Sequence, residues 1–278
     1  MTGEAPGAGS RHAAGTSPGG LAGVRAVTFD LWLTLIRDHD SASVWLRRVE
    51  ALDAVLGVGP ARARALLRVA YSAHRDAWDD GHALPLPAVA DVLLRAAGRS
   101  PHPGLRAAVL DAFDAPTSAA GVEILPGAAA ALAALTAAEV PVGLVCDTGF
   151  TSGESLRRLL AELGLLDAFT VLVFSDETRV PKPGLRPFRT ALAAMGVPPE
   201  AAVHVGDLRR KDVAGARAAG MRTARYRGAA DDLDVEHPDA DVVLADHREL
   251  LPLLGLPAAP GRITSRSREP GSSRLGPD

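Results

Sequence analysis

Short apolar runs, each closed by a polar residue or glycine, alternate along this chain with segments of helical spacing. No other feature restricts the fold as much. The runs cover residues 24–30, 140–147, 169–175, 202–207, 223–226 and 241–245. Unbroken apolar runs of about four to eight residues suit strands buried on both faces of a parallel sheet. Helical spacing fills residues 127–138, 154–164, 185–195 and 212–220, the last closing on Gly220 as a C-terminal cap. The alternation predicts a doubly wound, Rossmann-like α/β domain, whose ligands sit at the carboxyl ends of the strands.

The rhythm breaks over residues 41–117. Four helices separated by Pro/Gly turns are predicted there, at 41–56, 60–78, 87–97 and 104–113, with no strand among them. The simplest organisation is an α/β core of residues 24–38 and 118–256, interrupted by a helical insertion at 39–117. Residues 1–23 and 257–278, rich in Gly, Ala, Ser, Pro and Arg, are expected to be disordered tails.

Composition narrows the function classes. With 47% hydrophobic residues in 278, a sizeable core can be buried. Thirty Lys and Arg against 33 Asp and Glu leave a net charge of −3, so no basic surplus exists to hold a nucleic acid by its phosphates. The single cysteine excludes an internal disulfide and a Cys-only zinc site, and fits a reducing compartment. No stretch reaches the about 18–20 apolar residues of a membrane helix, and residues 1–23 lack a signal peptide's apolar core. The expectation is a soluble, cytoplasmic protein with neither nucleic-acid nor membrane partner.

Only two of the 30 basic residues are lysines, Lys182 and Lys211. Exposed lysines exchange for arginine at little cost, whereas a site needing a compact ammonium on a flexible stem does not tolerate the planar guanidinium. Each surviving lysine therefore raises a functional question.

Four segments carry candidate chemistry. Asp30 closes the first strand, within Phe29-Asp30-Leu31-Trp32-Leu33-Thr34. Asp207 and Asp212 flank a loop after the fourth strand and are hard oxygen donors of the kind Mg²⁺ takes together with water and phosphate. Lys182 lies between Pro181 and Pro183, which stiffen its loop. The second strand runs into Cys146-Asp147-Thr148-Gly149, offering a thiol or hydroxyl and free backbone N–H groups. Taken singly, Asp30 also fits a helix cap, and the acids at 207 and 212 a solvated turn.

In this order, each at a strand's carboxyl end, the four segments resemble the motifs of the haloacid dehalogenase-like hydrolase superfamily across residues 24–250. The resemblance implies that Asp30 is a nucleophile forming an aspartyl-phosphate, with Lys182 offsetting its charge and Thr34 ordering its loop. It implies Mg²⁺ held by Asp30, the Trp32 main-chain carbonyl and Asp207, with Asp212 as supporting acid. It also implies that Cys146, Asp147 and Thr148 form the phosphate-binding segment, either Cys146 or Thr148 filling the hydroxyl role. The insertion becomes a cap that selects a small phosphorylated substrate.

One position departs from the pattern. The superfamily's phosphatases usually carry a general acid two residues after the nucleophile, where this chain has Trp32, whose indole neither gives nor takes a proton near neutral pH. Loss of a general acid costs about 10²–10⁴-fold in rate. An aromatic residue there resembles the metal-free L-2-haloacid dehalogenases, while the paired acids at 207 and 212 speak for Mg²⁺. A catalytically weak binding or regulatory protein is the remaining alternative. Phosphonate-cleaving relatives use a cap lysine, which residues 39–117 lack.

Overall fold

The computed structural model describes residues 21–257. Its central feature is a six-stranded, all-parallel sheet. The chain enters as β1 (Ala26–Phe29), passes a short β2 (Ile36–Asp38), and leaves the core for four helices: α1 (Ser41–Leu56), α2 (Pro60–Asp79), α3 (Leu86–Ala96) and α4 (Pro103–Asp114). It returns through β3 (Val122–Ile124), α5 (Ala128–Ala137), β4 (Val142–Cys146), α6 (Gly153–Glu162), β5 (Val171–Phe174), the single-turn α7 (Ser175–Thr178) and α8 (Leu185–Met195). The last third holds β6 (Ala202–Gly206), a π-helical turn at Arg209–Val213 continuing into α9 (Ala214–Ala218), β7 (Arg222–Tyr226), β8 (Val242–Leu244) and α10 (Leu250–Leu253).

The strand order β5-β4-β1-β6-β7-β8 places β1 at the centre, with the chain growing outward on either side. All four residues of β1 are buried, as are all five of β4 and of β6. Burial on both faces explains why these strands read as unbroken apolar runs. Helices pack where the sequence provides caps: Asp40 accepts the Ala42 N–H at 3.0 Å, Gly57 closes α1 in the left-handed region at φ 62°, and Pro60 begins α2. In the alanine-rich α5, Ala128, Ala131, Leu132 and Leu135 face the core. At Gly127, with φ 81°, a side chain would strike Asp246.

The insertion has its own core, in which Leu52, Leu66, Leu67, Leu93 and Phe113 are inaccessible to solvent or nearly so. Phe150, from the loop after β4, joins it, its ring centroid 4.8 Å from that of Phe113. No helix among the described residues is long and apolar enough to cross a membrane.

All six expected strands are present, and the four helices of the insertion lie within two residues of their expected bounds. Three differences stand out. β2 and β3 form an antiparallel pair, Ile36 opposite Ile124, that joins the two chain passages into and out of the insertion; strands of three residues are too short to show alternation. The helix expected from 212 starts at Arg209 as a π turn. The tails expected at 1–23 and 257–278 fall mostly outside the described residues, but Leu21, assigned to the first, is 2% exposed within the main core.

His247 ties this core to the loop after β1. Its ring stacks on Tyr226 at 4.0 Å, and its Nε2 donates to the Thr34 carbonyl at 2.6 Å. Burial pushes its pKa down to about 4. The unfolded chain, titrating near 6.5, binds more protons between these values, so this contribution is complete above pH 6.5 and disappears as pH falls toward 4. Two outcomes are expected. Wild-type stability should lose about 3 kcal/mol more than His247→Gln between pH 6.5 and 4 in denaturant titrations. Phe113→Ala should cost about 3–5 kcal/mol at neutral pH by the same measurement.

Candidate active site

The sheet changes winding direction at β1, between β4 and β6, and the crevice beyond such a point is where doubly wound folds bind ligands. Asp30 follows β1, its N–H donating to the Val205 carbonyl at 2.8 Å. The backbone then folds on itself, with Leu35 and Ile36 N–H groups both donating to the Leu31 carbonyl and Leu33 held at φ 59°. Thr34 is fully buried there and donates its hydroxyl to Asp30 Oδ2 at 3.3 Å. His247 anchors the same residue's carbonyl from behind.

Lys182, 152 residues away, reaches the same place. Its Nζ lies 2.5 Å from Asp30 Oδ1 and 2.6 Å from Asp212 Oδ1, with only 3% of the residue exposed. Burial opposes the ammonium, but Asp212, Asp30 and Asp147 outweigh it and hold its pKa well above the ordinary value. Asp212 also accepts from His204 Nε2 at 3.0 Å and from the Leu208 N–H at 3.0 Å, so both oxygens are engaged. Burial works against its charge too, yet Lys182 and His204 keep its pKa below the usual range. Close approach needs Gly206, where a side chain would collide with Asp212. His204 acts as the satisfied core histidine its place in a strand implies, bonded to Thr28 at 2.9 Å as well as to Asp212.

Asp30, Asp207 and Asp212 present carboxylate oxygens within 4.8 Å of one another. Burial raises Asp30 to about 6 and Asp207 to about 8, the neighbouring carboxylates adding to both shifts. Crowded, buried, hard oxygen donors with surplus negative charge fit a divalent cation such as Mg²⁺. Asp212, committed to Lys182, His204 and backbone, supports this group from behind.

The end of β4 completes the site. Cys146 is buried with its thiol pushed well up by burial, which leaves it neutral. Asp147 Oδ1 accepts the Lys182 N–H at 2.9 Å, and its Oδ2 accepts from Trp78 Nε1, on α2, at 3.2 Å. The Thr148 hydroxyl pairs with Ser175 Oγ at 3.1 Å, and the Thr148 N–H donates to the same oxygen at 2.9 Å. Lys211 lies over the Trp78 ring, burial pushing its pKa below the ordinary lysine value. A cavity of about 310 Å³ opens between core and insertion, lined by Trp32, Asp38, Trp45, Arg48, Tyr71 and Phe150 among others. Arg48 is fixed in it by bonds to the Phe113 carbonyl at 2.8 Å and Thr151 Oγ1 at 3.1 Å.

Asp30, Thr34, Lys182, Asp207 and Asp212 thus converge, with Asp147 bonded to the Lys182 backbone. Cys146 and Thr148 flank Asp147 at the same strand end, and Trp32 is among the residues lining the cavity. Ser175, His204 and His247 belong to none of the four motif segments. One-letter patterns hold no trace of their partners, because each acts by a contact across the fold. Burial of a polar residue inside a strand was the available signal for His204.

A haloacid dehalogenase-like hydrolase family model matches residues 24–220. The phosphoglycolate phosphatase of Yersinia pseudotuberculosis is 33% identical over 245 residues, which cover 84% of this chain and 95% of the relative. Two solved structures share the fold. The HAD phosphatase of Thermococcus onnurineus has a TM-score of 0.60 at 23% identity, covering 84% of this chain and all of that one. The 2-haloacid dehalogenase of Pseudomonas syringae has a TM-score of 0.62 at 24% identity, covering 84% and 98%. From the parallel sheet, the convergent aspartates and lysine, and the family match, the chain belongs to the haloacid dehalogenase-like hydrolases.

Proposed function

We propose that the protein is a Mg²⁺-dependent phosphatase of small phosphorylated metabolites, working through an aspartyl-phosphate on Asp30. The observation that carries this reading is the Lys182 ammonium, 2.5 Å from Asp30 and 2.6 Å from Asp212 in a buried pocket beside a third acid, Asp207. The phosphatase relative, aligned over nearly its whole length, supports it.

In this reading an Asp30 oxygen attacks phosphorus, the ester P–O bond breaks, and its electron pair leaves with the organic group. Water then attacks the phosphoryl group and returns Asp30 as carboxylate. Lys182 offsets charge on nucleophile and phosphoryl group, while Thr34 holds the second carboxylate oxygen in place. Asp30, Asp207 and the Trp32 carbonyl would hold Mg²⁺, with Asp212 behind them. When bound, the ion would screen repulsion between carboxylate and phosphate. Cys146 and Thr148 remain the two candidates for a phosphoryl-oxygen donor, and Asp147 fixes the lysine backbone. The helical insertion, residues 39–117, serves as the cap, its Trp45, Arg48 and Tyr71 lining the substrate cavity.

Trp32 favours a second reading, displacement at carbon without metal. A phosphate-ester panel assayed with Mg²⁺ and with EDTA, beside a halide-release assay on 2-chloropropionate, separates the two. The expected result is metal-dependent phosphate release that falls by at least about 10³-fold in Asp30→Asn, with no halide. EDTA-insensitive activity, or an Asp30→Asn variant as active as the parent, overturns it. Trp32→Asp should raise turnover of alkyl phosphates by up to about 10²-fold, since it supplies the missing acid.

A further inference from the structure

Both lysines of the chain border one site, and the chemistry above uses only Lys182. Lys211 stands on the π-helical turn, is 5% exposed, and its Nζ lies 3.6 Å from the centroid of the Trp78 ring. Trp78 ends the aromatic face of α2, so the contact joins core to insertion.

The contact leads onward through a continuous chain of bonds. The Trp78 indole N–H donates to Asp147 Oδ2 at 3.2 Å, and Asp147 Oδ1 accepts the Lys182 backbone N–H at 2.9 Å. Lys182 in turn holds Asp30 and Asp212. Nearby, the Ala83 N–H donates to the Arg179 carbonyl at 3.3 Å, fastening the segment after α2 to the loop before Lys182. Three contacts therefore tie this one end of the insertion to the segments that position the lysine.

A cation on an indole face is attracted by the ring's negative quadrupole, more strongly where water is excluded. A compact ammonium reaches the ring head-on, whereas a guanidinium stacks flat and needs more room. That difference suits lysine at 211, one of only two among the chain's 30 basic residues.

We infer that Lys211 is a positioning residue: it holds the Trp78 indole against Asp147, and through Asp147 keeps Lys182 aimed at Asp30, clasping the insertion over the site. As a statement about catalysis, the inference rests on the phosphatase reading. The contact itself can be followed without substrate.

The test compares Lys211→Met, Lys211→Arg, Trp78→Phe and the Met/Phe double variant in the full chain. Steady-state kinetics use the best ester of the phosphate panel; tryptophan emission is recorded without substrate. Lys211→Met should lower kcat about 10-fold with KM changed less than about 3-fold, because transition-state charge is what a misplaced Lys182 serves poorly. Lys211→Arg should fall between Met and wild type. Trp78→Phe, which keeps a ring but loses the N–H, should match the Met variant, and the double variant should be no worse than the weaker single one. The Trp78 component of the emission, obtained by subtracting the Phe variant, should shift in Lys211→Met. Unchanged kcat and emission in the Met variant, or losses that multiply in the double variant, overturn the inference. If the Met variant does not fold, the Arg variant and Trp78→Phe carry the same comparison. If the unmodified protein turns over no ester, the phosphatase reading falls alone, and the emission shift still decides whether the ammonium holds the indole.

Discussion

One ammonium shared between two buried carboxylates organises this molecule. Lys182 is 3% exposed and Asp212 1%, and each would be costly to bury alone. Together they form a network in which His204 shares Oδ1 of Asp212 with Lys182 and the Leu208 N–H donates to Oδ2. Such a network is poor evidence for stability, since well-packed apolar groups serve a core as well or better. Its imbalance is the informative part: three carboxylates gather around one ammonium. The surplus falls on Asp207, whose pKa burial and the neighbouring Asp30 and Asp212 push up to about 8. In the phosphatase reading, a bound cation would relieve that crowding.

The fold supplies the imbalance by topology. Asp30, Asp147, Lys182 and Asp207 lie far apart in the chain but follow strands or loops that end on one rim of the sheet. β1, β4 and β6 are adjacent, and their carboxyl ends open where the winding reverses. Local sequence then tunes the distances. Gly206 removes the side chain that would bar Asp212, and the wide π turn presents Lys211 and Asp212 from consecutive positions to different partners.

Much of this was legible in the sequence, for physical reasons. Strands buried on both faces must be apolar throughout, so β1, β4 and β6 announced themselves, and an acid ending such a run stands out against it. Lys182 and Lys211 were conspicuous because everything else basic had become arginine. What escaped notice depends on pairing through space. β2 and β3 are three residues each, and only their register, with Arg37 opposite Glu123, makes them a sheet. His247 meets Thr34 across 213 positions, and Ser175 meets Thr148 across a strand boundary. Trp78 was visible as an aromatic residue of the insertion; that its N–H ends on Asp147 was not.

Trp32 stands where the resemblance implies a general acid, two residues after Asp30. It lines the cavity, so in the proposed reaction it would shape the space of the leaving group without offering a proton. Asp147 does not replace the missing acid, because both of its oxygens already accept hydrogen bonds, one from the Lys182 N–H and one from Trp78. Cys146 is neutral and buried. In the proposed reaction, with no proton supplied from position 32, the first half-reaction would favour substrates whose organic group departs readily as an anion. The second half-reaction would likewise lack a base at that position, so an aspartyl-phosphate formed here would be longer-lived than one beside an acid. The same tryptophan that narrows the substrates would thereby move the slow step from forming the intermediate to releasing it.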